Sequence, residues 1–362
     1  MDDLEIPGGT APRPGSTARP NPGPYSTPLQ LHVLKSFCSL PTNRPATVTK
    51  LAVYSVTMSP VMDVTVRTET GAELRAVLKV YDRRLGKDLR QCLGKHVPHT
   101  ATVEAAFQSF VKAKKMTPFL RELARRSQQD PNPPQPWHFL DDAGPDCQAE
   151  YEAALWAKCE EYFNAETEAY DRLKHLQGES IPQMLAHVRV MVPVPNLPSE
   201  MAKYFELKGV LVERISGYNL ADLPISPLAP SDPKKWPTIV QSAVNLAHTL
   251  DATGVLMGDC APRNVIVDKR TQKPFFIDFA QADFKDALLR EWHDPRDKNF
   301  HPEYEYWKAV ATRNNPGAIG SEMKCKLKRA KNMELQGIVY PDYESILAEI
   351  LRPKKAKSKR PG

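Results

Sequence analysis

Residues 258–280 read GDCAPRNVIVDKRTQKPFFIDFA. Two β-branched or aromatic runs, 264–267 (NVIV) and 275–279 (FFIDF), flank the polar stretch 268–273, which is the pattern of an antiparallel hairpin. Positions 264 and 278 have their midpoint at 271, inside that polar stretch. Residues equidistant from a turn oppose one another, so this register predicts that Asn264 and Asp278 face each other at the open end. Asp259 stands five residues before Asn264, in a loop that contains Pro262. Three oxygen-bearing side chains then meet at one edge. That donor set suits a hard cation such as Mg2+, which takes one or two carboxylates and completes its shell with phosphate oxygens and water.

Residues 209–215 (GVLVERI) and 188–194 (VRVMVPV) read as strands, and residues 236–254 read as a helix ended by Gly254. A long amphipathic helix is predicted from Tyr151 to Leu176, with apolar or aromatic residues at Leu155, Cys159, Tyr162, Phe163, Tyr170 and Leu173 and a stop at Gly178. Further back, the runs VTKLAVYSVT and MDVTVRTE alternate as strands. A turn at Gly71 leads into the strand LRAVLKVYD. Residues 86–147 interrupt this with a helical stretch and a proline-rich loop, and read as an insertion. Residues 1–30, rich in Pro, Gly, Ser and Thr, carry too little apolar surface to offset ordering and are expected to be disordered.

Composition bounds the class. The chain has 362 residues with 49 Lys+Arg and 43 Asp+Glu, a net charge of +6. Arg352, Lys354, Lys355, Lys357, Lys359 and Arg360 account for all of that excess, so residues 1–351 are neutral by count. A basic tail at 352–362 is compatible with nuclear targeting, and a nucleic-acid ligand is not expected of the neutral body. Six cysteines without a C-x-x-C pair point to a reducing compartment, either cytoplasm or nucleus. The acidic start MDDLEIPGG has no apolar stretch, so no secretory signal is expected, and no run is long enough to predict a membrane span. Cys92, His96 and His99 lie close together at spacings that zinc sites use. A fourth ligand is not evident, and solvated loop histidines are the plainer reading.

The motif residues, taken together, resemble the protein-kinase-like superfamily. GDCAPRN matches the catalytic loop, in which an Asp is followed five residues later by an Asn. IDFA matches the Asp-Phe-Gly segment, and VLKVYD matches the strand that carries the phosphate-pairing Lys. Glu166 matches its helical partner, and LVERISGYNL matches the hinge. The runs LKVYDRR, EAYDRLKHLQGESIP and GDCAPRN are most similar to uncharacterised fungal protein-kinase-like proteins. Each residue singly has an ordinary structural reading, Asp278 as a hairpin-end turn former and Lys79 as an exposed strand lysine. The resemblance rests on their conjunction in one order.

The resemblance implies an α+β, bilobal fold. A small β-rich lobe would cover 46–208, with the insertion at 86–147, and a short, mostly helical lobe would cover 209–351. It implies ATP and Mg2+ as cofactors. Lys79 would hold the α- and β-phosphates, Glu166 would orient Lys79, Asp259 would take or orient the acceptor proton, and Asn264 and Asp278 would hold Mg2+. Val77, Glu213 and Ile215 would line the adenine site. The acceptor would be a hydroxyl of a protein or a small molecule, and a protein partner could use the insertion. The chain departs from the family pattern in the glycine-free loop SVTMSPVMD, in Met257 where a His is usual, in Ala261 where a Lys is usual, and in Ala280 in place of Gly. Those departures define the alternative, a catalytically impaired pseudokinase or scaffold that still binds nucleotide and partners.

Overall fold

The computed structural model describes residues 25–129, 133–141, 144–192 and 196–352. Four antiparallel strands come first: β1 (Leu29–Ser36), β2 (Pro45–Val56), β3 (Pro60–Arg67) and β4 (Glu73–Tyr81). The segment that follows holds the short pair β5 (Gln91–Cys92) and β6 (Lys95–His96), then helices α1 (Ala101–Lys112), α2 (Met116–Gln129), α3 (His138–Asp141) and α4 (Cys147–Arg172). Strand β7 (Met184–Val190), the single turn α5 (Ser199–Ala202) and strand β8 (Leu207–Glu213) come next. The order β1-β2-β3-β4-β8-β7 closes into a six-stranded barrel.

Strand alternation fills the barrel. Leu31, Val33, Val48, Met62, Val64, Val66, Ala76, Leu78, Val80, Val188 and Leu211 point inward and are buried. On β4 this parity leaves Val77, Lys79 and Tyr81 on the outer face, where Lys79 and Tyr81 reach α4. The chain is therefore a mixed α+β protein whose first sheet is a closed barrel.

Two boundaries drawn from the sequence move. Strand β1 begins at Leu29, inside the stretch expected to be disordered and well before residue 46, and it closes the barrel by pairing with both β2 and β7. The boundary between 208 and 209 falls within β8, because that strand pairs along its whole length with β4 or β7. The rest of the 1–30 expectation, and the tail from 353 onward, lie outside the described residues.

Helix α4 starts four residues earlier than expected and ends at Arg172, with a 3-10 turn at Lys174–Leu176. It is buried on several sides at once, which blurs its amphipathic stripe. Tyr151, Leu155, Tyr162 and Tyr170 join one large core with α6 (Trp236–Ala252) and α9 (Asn315–Lys331). The segment 86–147 has a smaller core of its own, Phe107, Phe110, Val111 and Met116, packed on α4 and on Tyr204 and Phe205.

After β8 come β9 (Gly217–Asn219), α6, β10 (Val255–Met257), β11 (Val265–Asp268), β12 (Pro274–Phe276) and β13 (Ala282–Phe284). Helices α7 (Lys285–Trp292), α8 (Pro302–Arg313), α9 and α10 (Tyr343–Ile350) complete the chain. Among the described residues no helix is long and apolar enough to cross a membrane.

Candidate functional site

Two loops are laid side by side by short antiparallel pairings. In the β10–β13 ladder Met257 faces Ala282, and the next residue, Gly258, donates its N–H to Gln281 O at 2.8 Å. A Cβ at position 258 would stand 2.3 Å from that oxygen, so only glycine permits the approach. Asp259 follows immediately. The chain then makes a 3-10 turn at Pro262–Asn264, and Asn264 O accepts Ile277 N at 2.9 Å. Loop 259–264 is thus stitched at both ends to segment 277–281.

The hairpin register differs from the sequence expectation by one residue. Val265 faces Phe276 and Val267 faces Pro274, so Asn264 lies opposite Ile277, not Asp278. The cause is the turn. Asp268 Oδ1 accepts the N–H groups of Arg270 and Thr271, Gln272 adopts a left-handed φ of 57°, and Asp268 N closes the loop on Lys273 O. That leaves an even loop of four residues where the midpoint at 271 required an odd one. Asp278 falls one step past the pairing, with φ 66°, and this left-handed step turns its side chain toward β4. The positive φ sits at Asp278 itself and not at Ala280, so the alanine costs no strain.

Asp278, Lys79 and Glu166 form one contact. Lys79 Nζ donates to Glu166 Oε2 at 2.5 Å and to Asp278 Oδ1 at 2.7 Å. The Tyr81 hydroxyl donates to the same Glu166 oxygen at 2.5 Å. Phe279 is fully buried edge-on against Tyr170, one turn beyond Glu166 on α4, with ring centroids 5.6 Å apart. Helix α4 therefore holds Asp278 from two directions, through the Lys79 bridge and through its neighbour's ring. Burial opposes the Lys79 charge, but Asp278 and Glu166 outweigh it and hold the ammonium above its ordinary pKa. Burial likewise pushes the Asp278 carboxyl up, while Lys79 and the Ala280 N–H overcome this and hold it below the usual carboxylate range. Both groups are charged at neutral pH.

Asp259 and Asn264 form the second contact. Asn264 Nδ2 donates to Asp259 O at 2.8 Å and to Asp259 Oδ2 at 3.1 Å, while the Arg263 guanidinium binds Asp259 Oδ1. Asn219 Nδ2 on β9 holds Arg263 O at 2.5 Å. Asp259 is one-third exposed. Asn264 spends its amide N–H groups on Asp259, and no described residue donates to Asn264 Oδ1 or to Asp278 Oδ2. Two oxygens on adjoining segments are thus left as acceptors, and this donor set fits a hard cation that draws its remaining ligands from phosphate and water. Among the described residues no group of three or more His, Cys, Asp or Glu side chains could hold a metal ion by itself.

Of the other expected residues, Val77 lies on the Lys79 face of β4, half-buried and packed against the helical core. Glu213 ends β8 opposite Ala76, and its carboxylate is committed to Gln183 N at 3.0 Å. Ile215 is half-buried just after β8. Cys92 and His96 sit in the short β5–β6 pair, and His99 turns away to Glu104 at 2.9 Å. Sequence reasoning missed Tyr81, whose signal was its place two residues after Lys79 on the same strand face. It also missed Gly258, which a glycine directly before Asp259 could have flagged. No protein-family model and no curated protein matches this chain.

Proposed function

We propose that this chain is an ATP-dependent, Mg2+-assisted phosphotransferase with a bilobal, protein-kinase-like fold, the barrel serving as small lobe and the α6–α10 region as large lobe. The observation that carries the reading is the Lys79–Glu166–Asp278 contact. It joins residues 87 and 199 positions apart in sequence into one charged group beside Asp259 and Asn264. Here a buried lysine is shared between a helix carboxylate and a loop carboxylate that is a little over one-third exposed and keeps one oxygen without a donor among the described residues.

Each residue has a part. The Lys79 ammonium, oriented by Glu166, supplies positive charge for the α- and β-phosphates, and Val77 backs the base together with the segment at Glu213 and Ile215. Asn264 Oδ1 and Asp278 Oδ2 would hold Mg2+, which supplies charge neutralisation on the phosphate oxygens. Asp259, fixed by Asn264 and Arg263, accepts the proton of the acceptor hydroxyl as that oxygen bonds to the γ-phosphorus and the bond to the β-phosphate oxygen breaks. Positioning and charge stabilisation carry the rate. The acceptor is a hydroxyl of a protein or a small molecule.

The test is transfer of radiolabelled phosphate from ATP with wild type and Asp259→Asn. Loss of turnover with an unchanged melting profile is expected, and equal turnover in the variant would sink the reading. The glycine-free turn at 57–59 favours a second reading, a pseudokinase that binds nucleotide without transferring it. Mg2+-dependent ATP binding with no transfer to any acceptor would select it.

A further inference from the structure

The turn Thr57–Met58–Ser59 joins β2 to β3. Because Val61 faces Lys79 in the β3–β4 register, the turn lies level with the Lys79–Tyr81 end of β4. It contains no glycine and no residue at positive φ. Its backbone is held from outside. Val56 O accepts Lys87 N and Thr57 O accepts Asp88 N, both at 3.0 Å. Gly86, at φ 94°, presses against the next carbonyl, and a Cβ there would stand 2.6 Å from Met58 O and 3.1 Å from Thr57 O. Three consecutive carbonyls, of Val56 at the end of β2 and of Thr57 and Met58 in the turn, therefore face residues 86–88. Met58 packs against the same core as Leu89 and α4, and Ser59 is buried.

Residues 86–88 are anchored in turn. Gly86 O accepts Arg90 N at 3.0 Å. Arg90 is fully buried, and its guanidinium donates to Val97 O at 2.9 Å, Arg83 O at 2.8 Å and Glu152 Oε1 at 2.6 Å. Glu152, also fully buried, takes Arg83 on its other oxygen. Glu152 lies on α4, fourteen residues before Glu166, or about 21 Å along the helix. A continuous chain of contacts thus runs from the turn through 86–90 to the helix that orients Lys79.

We infer that segment 82–90 is a built-in clamp that fixes turn 57–59 at the polyphosphate end of the site and ties it to α4, with Gly86 and Arg90 as positioning residues. This rests on the nucleotide reading above and deepens it. Where a glycine-rich loop would fold onto the phosphates by its own flexibility, this turn is held rigid by a neighbouring segment. The clamp sets affinity for the phosphate chain and leaves the base contacts alone.

Calorimetric titration of the full chain with MgATP and with adenosine tests this, comparing wild type with Gly86→Ala and Arg90→Lys. Gly86→Ala is expected to weaken MgATP binding about tenfold and leave adenosine binding unchanged, since the added methyl displaces the Met58 carbonyl. Arg90→Lys, which keeps the charge on Glu152 but loses the fork to Arg83 O and Val97 O, is expected to do the same more mildly. Equal loss for both ligands, or no loss for either, overturns the clamp. Amide exchange of the wild type covers the case where the variants do not fold. Lys87 and Asp88 amides protected as long as those of α4 support the clamp, and rapid exchange there overturns it. If the wild type binds neither ligand, the nucleotide reading falls, and amide exchange alone decides whether the turn is clamped.

Discussion

Lys79 is the residue on which the account turns, and its surroundings make a prediction independent of any ligand. It is buried with Glu166, whose side chain is 3 % exposed, so removing the ammonium leaves a buried carboxylate without its counter-charge. Lys79→Met is expected to cost about 3 kcal/mol of stability. Glu166→Gln in the same chain should return part of it, giving a coupling energy of about 1 kcal/mol or more in a double-variant denaturation cycle. Additive losses would mean the pair is not a unit. That Lys79 would meet Glu166 was legible only through the kinase-like order of the motifs, since no local pattern pairs a strand lysine with a helix glutamate 87 residues on, whereas Asp259, Asn264 and Asp278 stood out from the hairpin itself. The one-residue offset of Asp278 was not legible, because it follows from the side chain of Asp268 capping its own turn.

At the scale of elements, the pairing of segments 255–264 and 277–284 fixes how loop 259–264 meets Asp278. Gly258→Ala places a methyl against the Gln281 carbonyl and is expected to cost about 1–3 kcal/mol. Phosphate transfer should fall further than the lost folded fraction explains. Thermal melts beside single-turnover rates check this, and a rate that merely tracks the folded fraction would limit Gly258 to stability. Strands β2, β3, β4, β8, β11 and β12 and the long helix could be read from period and punctuation, whereas the run 188–194 catches only the end of β7 (Met184–Val190). Strand β1 could have been, since Leu29, Leu31 and Val33 alternate, but a proline-rich lead-in obscured a strand whose partners, β2 and β7, are supplied by the closed barrel. The span of β8 across the expected lobe boundary was hidden for a related reason: a strand's sheet membership is set by its partners, which sequence order does not name.

For the whole molecule, pH dependence is the accessible readout. Asp251 on α6 is fully buried, with Oδ1 accepting Asn315 Nδ2 at 2.9 Å and Oδ2 without a hydrogen bond among the described residues. Burial pushes its carboxyl up to about 7, against a weaker downward pull from Asn315 and Arg313. Between about pH 4 and pH 7 the folded chain keeps a proton that the unfolded chain has released, so this group's contribution to stability is full in acid and is lost as pH rises through that window. Asp251→Asn keeps an oxygen for Asn315 and removes the titration. Its melting temperature relative to wild type should rise between about pH 5 and pH 8, and a constant difference across that range would refute the assignment.

The central claim, that Lys79, Glu166, Asp278, Asp259 and Asn264 make one Mg2+-nucleotide site, meets its most direct test in titration calorimetry with ATP, with and without Mg2+, on wild type and Asp278→Asn. The variant keeps an acceptor for Lys79 but loses the charged oxygen meant for the cation. Wild-type ATP binding is expected to require Mg2+ and to be weakened at least about tenfold in Asp278→Asn. Binding that is absent, indifferent to Mg2+, or unchanged in the variant would contradict it.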